Sequence, residues 1–176
     1  MILLALGANL PGPAGPPLAQ CEAALTALDR RGVRIAGRSR WYDTPPYPPS
    51  GQPHFVNGVA RVETSLGPIA LLAEMLAIEV ALGRQRSVPN AARTLDLDLI
   101  DYEGQVRSGP EAPILPHPRL ADRSFVLLPL WDVAPEWRHP VSGLSVAELI
   151  AALPPDHGAR PLEGSVGGGE IRLGNP

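Results

Sequence analysis

Residues Thr94–Tyr102 read TLDLDLIDY, in which Leu95, Leu97 and Leu99 alternate with Thr94, Asp96 and Asp98. A period of two marks a strand with one buried face, because successive side chains point to opposite sides of a sheet. Aspartate is disfavoured in strands, yet two stand on the polar side of the clearest strand in the chain. At strand spacing they project from one face about 6 to 7 Å apart along the backbone. That is near enough for both carboxylates to converge on shared cations. Magnesium suits the pair, since it takes hard oxygen ligands and is commonly held by one or two carboxylates together with substrate phosphates. A solvated acidic strand face is the other reading of the same residues.

Upstream, Pro68 suits the first turn of a helix that runs to about Leu82 and stops at Gly83. Ile69, Leu72, Met75, Leu76 and Leu82 form its apolar stripe at 100° per residue, and Glu79 falls at the centre of that stripe. An inward carboxylate needs a partner, either Arg84 or Arg86 or a ligand. Before that helix, Phe55–Glu63 alternates as a strand, and Asp43–Pro53 (DTPPYPPSGQP) is a loop stiffened by five prolines. Val33–Tyr42 reads as a strand and Leu18–Arg30 as a helix presenting Leu18, Cys21, Leu25 and Leu28. The opening ILLALG (Ile2–Gly7) has the length of a strand.

Downstream come a Pro/Gly-rich loop, the stretch PHPRLADRSF, and an apolar segment over Val126–Val133. Ser145 with Glu148 is a capping box opening a last helix through about Leu153. From Pro154 onward apolar density collapses, and Gly167–Gly169 reads as flexible. Alternating strands and helices without a repeat predict an α/β (α+β) fold in one domain, residues 1–155, followed by a flexible Gly-rich C-terminal tail, 156–176.

Composition narrows the function. The chain has 176 residues, 44% apolar and 19% charged, enough to bury one core and too few charges for disorder. No apolar run reaches the length of a membrane span and no secretory signal opens the chain, so a cytoplasmic protein is expected. A net charge of -3 argues against a general grip on nucleic acid. Cys21 is the only cysteine, which excludes an internal disulfide and a cysteine zinc cluster. All 15 basic residues are arginine, so phosphate-loop, Schiff-base and protein-kinase lysines are excluded and any phosphate must be held by Arg, backbone or metal.

Arg84, Arg86 and Arg93 lie just upstream of the acid pair. Guanidinium groups fork onto phosphate oxygens and keep their proton, so carboxylates with metal beside them describe a polyphosphate site. The intervening QRSVPNAA lacks apolar spacing and reads as a mobile loop able to close over a nucleotide. A third cluster, His117, Arg119 and Arg123, precedes Phe125, where a lone histidine also reads as a packed or hydrogen-bonded side chain. The only two phenylalanines, Phe55 and Phe125, are candidates to sandwich a planar ring, with core packing as the alternative for each.

Six ordered blocks carry a resemblance: LALGANL, WYDTPPY, QPHFVNGVARVET, IEVALGR, RTLDLDLI, and LPHPRL with RSFVLLPLWDVAPE. Together they resemble the hydroxymethyl-dihydropterin pyrophosphokinases of folate biosynthesis. The resemblance implies a three-layer αβα fold with a ferredoxin-like core and a monomer. It also implies transfer of pyrophosphate from ATP to 6-hydroxymethyl-7,8-dihydropterin, with AMP released. Asp96 and Asp98 match the acids that bind two magnesium ions, and Arg84 and Arg93 match catalytic basic residues. Glu79, Arg86, Leu99, His117 and Arg123 match positions on the ATP side. Thr44, Pro45, Tyr47, Phe55, Asn57 and Phe125 match positions on the pterin side. Departures are local: Asn90, Ala91 and Ala92 stand where many relatives have an aromatic and Gly-Pro, and Pro118 where some have Tyr. A metal-dependent nucleotidyltransferase or phosphohydrolase built on the acid pair fits less well, since Gly83 is followed by Arg84 and Ile100 lies two residues past the second acid. A ferredoxin-like RNA-binding or ligand-sensing module is opposed by the acidic balance.

Overall fold

The computed structural model describes residues 1–85, 91–109, 113–154, 158–165 and 167–169. Within them the elements run β1 (Ile2–Ala8), α1 (Pro17–Arg30), β2 (Arg34–Arg38), β3 (Tyr42–Thr44), β4 (Phe55–Glu63), α2 (Pro68–Ala81), β5 (Asp96–Tyr102), α3 (Ser124–Val133), α4 (Val146–Ala151), β6 (Arg160–Pro161) and β7 (Gly168–Gly169). One antiparallel sheet has the order β5-β1-β4-β2-β7, with β3 also paired to β4 and β6 to β3. The expected αβα layering holds. Residues of α1 and α2 share one apolar cluster with Ile2, Leu4 and Leu6, while residues of α3 and α4 share another with Leu3, Ala5 and Val59.

β1 is central and buried on both faces, which is why ILLALGA shows no polar alternation. On its α3 side the side chains shrink along the strand from Leu3 through Ala5 to Gly7. The sheet thus offers a full core at one end and an open floor at the other. Among the described residues β5 is an edge strand paired only with β1, and its register shifts so that Leu3 faces Asp101 while Leu4 faces Leu99. The extra residue puts Ile100 into the α3 cluster, and buried Asp101 accepts the Trp137 indole N–H at 3.0 Å.

Several sequence expectations shift. In α2 the buried face is Leu71, Met75, Ile78 and Glu79, whereas Ile69 is 54% exposed. The helix is apolar nearly all round, so its composition does not single out the inward stripe. Similarly, Leu18 in α1 is exposed and Gln20 takes an inward position. The strand expected over Val33–Tyr42 divides, because the Ser39 hydroxyl accepts the Val59 N–H at 3.0 Å before pairing with β4 resumes at Tyr42. Gly168 and Gly169, expected to be flexible, pair with Arg38 and Gly37, and Arg160–Pro161 pairs with β3. Main-chain pairing needs no apolar side chain, so composition does not reveal it.

The capping box is present. Ser145 Oγ accepts the Glu148 N–H at 3.3 Å and Glu148 Oε2 accepts the Ser145 N–H at 2.8 Å. α4 ends at Ala151, short of Leu153. Ser145→Ala is expected to cost about 1 kcal/mol, read as a lower denaturant midpoint with an unchanged slope. No helix among the described residues is long and apolar enough to cross a membrane.

Candidate active site

The open floor is made by strand register. Gly7 lies between Asn57 on β4 and Asp96 on β5, and Ala5 lies between Val59 and Asp98. These two rows bring the acids and Asn57 onto one face, over a central strand with almost no side chain. A Cβ on Gly7 would sit 2.5 Å from Asn57 Oδ1, so the glycine is what lets that amide lie flat across β1. The Asn57 amide donates to Thr44 Oγ1 at 2.6 Å, tying β4 to the start of the Pro-rich loop.

Over this floor is a cleft of about 220 Å³. It brings together Thr44, Pro45, Tyr47, Phe55, Asn57, Arg84, Arg93, Asp96, Asp98, Arg123 and Phe125 from the sequence-derived set. Gln52 and Arg119 also line it. Arg119 belongs to the His117 cluster of the sequence, and Gln52 shows no local signal there.

At the charged end, Arg84 Nη1 donates to Asp96 Oδ1 at 2.5 Å and also to Glu79 Oε1. Arg93 Nη1 donates to Asp96 Oδ2 at 2.7 Å. Arg123 Nη1 lies 3.4 Å from Asp98 Oδ2 and its guanidinium 5.3 Å from the centre of the Phe125 ring, so it spans the acidic and aromatic ends. His117 stands behind Asp98, with Nε2 3.8 Å from Oδ2, and is fixed by its main-chain N–H on the Ile100 carbonyl at 2.9 Å. Burial, reinforced by Asp96, pushes the Asp98 carboxyl above its ordinary value. Burial lowers the affinity of the His117 imidazole for a proton despite Asp98.

Glu79 has its partner, and the partner is not the cleft. It is 2% exposed, holds Arg84, and accepts the Leu97 N–H at 2.7 Å. A carboxylate on the buried, otherwise apolar face of α2 therefore closes the free side of an edge strand and anchors an arginine. Burial raises its affinity for a proton against the pull of both donors. Leu99 is 4% exposed among Leu4, Leu97 and Met75, so its side chain belongs to the core and does not reach the cleft. Arg86 and Asn90, with most of the expected mobile loop, lie outside the described residues.

One further contributor, Asn9, is only weakly signalled in the sequence. Asn9 is 2% exposed, its Oδ1 accepts the Arg93 N–H at 2.8 Å, and its amide donates to Gln52 Oε1 at 3.2 Å and to the Pro53 carbonyl at 3.1 Å. It joins the arginine segment to the far end of the Pro-rich loop. The available signal was a polar residue directly after a buried strand.

The acid pair also suits magnesium on chemical grounds. Both side chains offer oxygen and stay partly exposed, at 26% and 33%. Among the described residues no group of three or more His, Cys, Asp or Glu could hold an ion. Two carboxylates alone suit an ion whose remaining ligands come from water and a bound phosphate.

A cleft that is cationic and acid-floored at one end and aromatic at the other suits a ligand that is polyanionic in one part and flat in another. Comparison with known proteins is more specific. The family model for 7,8-dihydro-6-hydroxymethylpterin-pyrophosphokinase matches residues 3–135. The chain is 41% identical over 154 residues to the 2-amino-4-hydroxy-6-hydroxymethyldihydropteridine pyrophosphokinase of Pseudomonas aeruginosa, covering 87% of this chain and 91% of that protein. It is 36% identical over 161 residues to the folic acid synthesis protein fol1 of Pneumocystis carinii, covering 92% of this chain but only 21% of that longer protein. The fold is similar to the crystal structure of wild-type Plasmodium falciparum HPPK-DHPS with STZ-DHP, with a TM-score of 0.65 at 15% identity over 85% of this chain and 42% of that one. The chain belongs to the 7,8-dihydro-6-hydroxymethylpterin-pyrophosphokinase family, and is an enzyme of that kind.

Proposed function

We propose that the chain transfers pyrophosphate from ATP to the hydroxymethyl oxygen of 6-hydroxymethyl-7,8-dihydropterin, releasing AMP, as a step of tetrahydrofolate biosynthesis. The observation that carries this reading is the convergence of Asp96, Asp98 and four arginines with Phe55, Phe125 and Asn57 in one cleft. The pterin hydroxyl attacks the β-phosphorus in line, the bond from that phosphorus to the oxygen bridging to the α-phosphate breaks, and the hydroxyl proton passes to solvent. Two magnesium ions held by Asp96 and Asp98 with the triphosphate would neutralise phosphate charge and polarise the β-phosphorus. Arg84 and Arg93 stabilise charge on the transferring group, an electrostatic task requiring no covalent intermediate. Arg123 and His117 serve the nucleotide side, and Glu79 serves it through Arg84.

On the pterin side Phe55 and Phe125 cover the ring, while Asn57, set by Thr44 and Gly7, reads its polar edge, with Pro45 and Tyr47 closing the loop over it. Gly7→Ala is expected to raise the pterin KM about tenfold, the worth of one misplaced hydrogen-bonding group, with little change in the KM for ATP. We assign the activity to residues 1–155, acting as a cytoplasmic monomer. Incubation with ATP, magnesium and the pterin tests the reading: AMP forms in step with the pterin diphosphate. Release of ADP or free pyrophosphate instead contradicts it.

A further inference from the structure

The arginines that would receive the phosphates are already engaged. Both oxygens of Asp96 carry a guanidinium, Arg84 on Oδ1 at 2.5 Å and Arg93 on Oδ2 at 2.7 Å. A divalent ion directed to the same carboxylate meets two fixed positive charges within a few ångströms, a repulsion that partial burial screens weakly. The two arginines are not held alike. Arg84 has a second anchor in buried Glu79, so it retains a partner when Asp96 is taken from it. Among the described residues, the Arg93 side chain holds only the Ala91 carbonyl of its own segment, through Nε at 3.1 Å, besides Asp96. Its guanidinium is the one free to leave.

We propose that Arg93 is a placeholder cation on Asp96, which suppresses uptake of a bare divalent ion and is handed to the phosphates when ion and triphosphate arrive together. This deepens the proposed function and rests on its assignment of Asp96 and Asp98 as ion ligands. The exchange leaves the charge balance nearly constant: Asp96 trades a guanidinium for a metal ion, and Arg93 trades a carboxylate for a phosphate of the incoming nucleotide. Neither the ion nor the nucleotide then gains full affinity without the other, which is a coupling free energy between two ligands at one site. Arg84 stays on Glu79 through the exchange and keeps its place at the cleft.

Manganese(II) as the probe ion makes this measurable without turnover, since its free-ion electron paramagnetic resonance signal disappears on binding. In the absence of nucleotide, Arg93→Gln is expected to bind Mn2+ about tenfold more tightly than the parent protein, the scale set by removing one charge-assisted contact that competes for the ligand. Arg93→Lys, which keeps a cation at that place, is expected to stay closer to the parent. With a non-hydrolysable ATP analogue present the order reverses, and Arg93→Gln binds the Mn2+ complex more weakly than the parent. Equal or weaker Mn2+ binding by Arg93→Gln without nucleotide overturns the placeholder, even when the parent takes up Mn2+ with the analogue. If the parent takes up no Mn2+ even with the analogue, the ion assignment fails first and the placeholder with it.

Discussion

Replacing Asp98 with Asn is expected to yield a protein that melts higher than the parent at neutral pH and turns over about a thousandfold more slowly or worse. The two effects have one origin. Burial first, and the Asp96 charge second, raise the folded-state affinity of Asp98 for a proton, while His117 at 3.8 Å and Arg123 at 3.4 Å only partly compensate. A carboxyl raised above its unfolded value stabilises the fold while protonated, and loses that contribution as the pH climbs through its folded value. At neutral pH the ionised parent therefore carries a cost that the amide avoids. The difference in melting temperature closes again as the pH falls below the ordinary carboxylate range, where both states of the parent are protonated. Turnover moves the other way, since the amide surrenders the charge on which an ion and a triphosphate would assemble. Melting curves across pH and single-turnover rates on the same preparation check both limbs. A lower melting temperature at neutral pH, or an unchanged rate, contradicts the assignment.

Arg84→Ala carries the second large effect, and here activity and stability fall together. The substitution strands Glu79, 2% exposed, with only the Leu97 N–H as the partner of its side chain among the described residues. Breaking a buried ion pair from one side costs about 3 to 5 kcal/mol, a large share of the roughly 5 to 15 kcal/mol that holds a domain together. On the role proposed for Arg84 at the transferring group, its loss is expected to lower kcat about a hundredfold. Glu79→Gln placed on top of Arg84→Ala is expected to recover most of the stability, because the neutral amide still accepts the Leu97 N–H. It recovers none of the rate. Chemical denaturation and kcat measured on the two single variants and the double variant separate these roles. Recovery of kcat in the double variant would show that Arg84 acts only by supporting the fold.

The strand that bears Asp96 and Asp98 was legible because alternation and the rarity of Asp in strands both point at the same residues. The stiff Pro-rich loop, the aromatic pair and the Ser145 cap were legible for the same reason, since each rests on local chemistry. Less was visible where a contact is non-local. The inward face of α2 follows from what it meets, β5 and α1, because its own apolar residues run nearly all round. Glu79 was recognisable as anomalous, yet that it serves Arg84 and an edge-strand N–H needs the register of β5. Asn9 and Gln52 become part of the site only once two loops distant in sequence are brought side by side. The pairing of Gly168 and Gly169 with β2 is carried by backbone alone, on which side-chain pattern is silent.

Where the triphosphate is cut decides the reaction class. ATP radiolabelled in its β-phosphate, given with magnesium and the hydroxymethyl pterin, is predicted to deliver its label to the pterin product in one turnover while unlabelled AMP leaves. Label that stays on the nucleotide as ADP, or appears as inorganic pyrophosphate with the pterin unmodified, would contradict it.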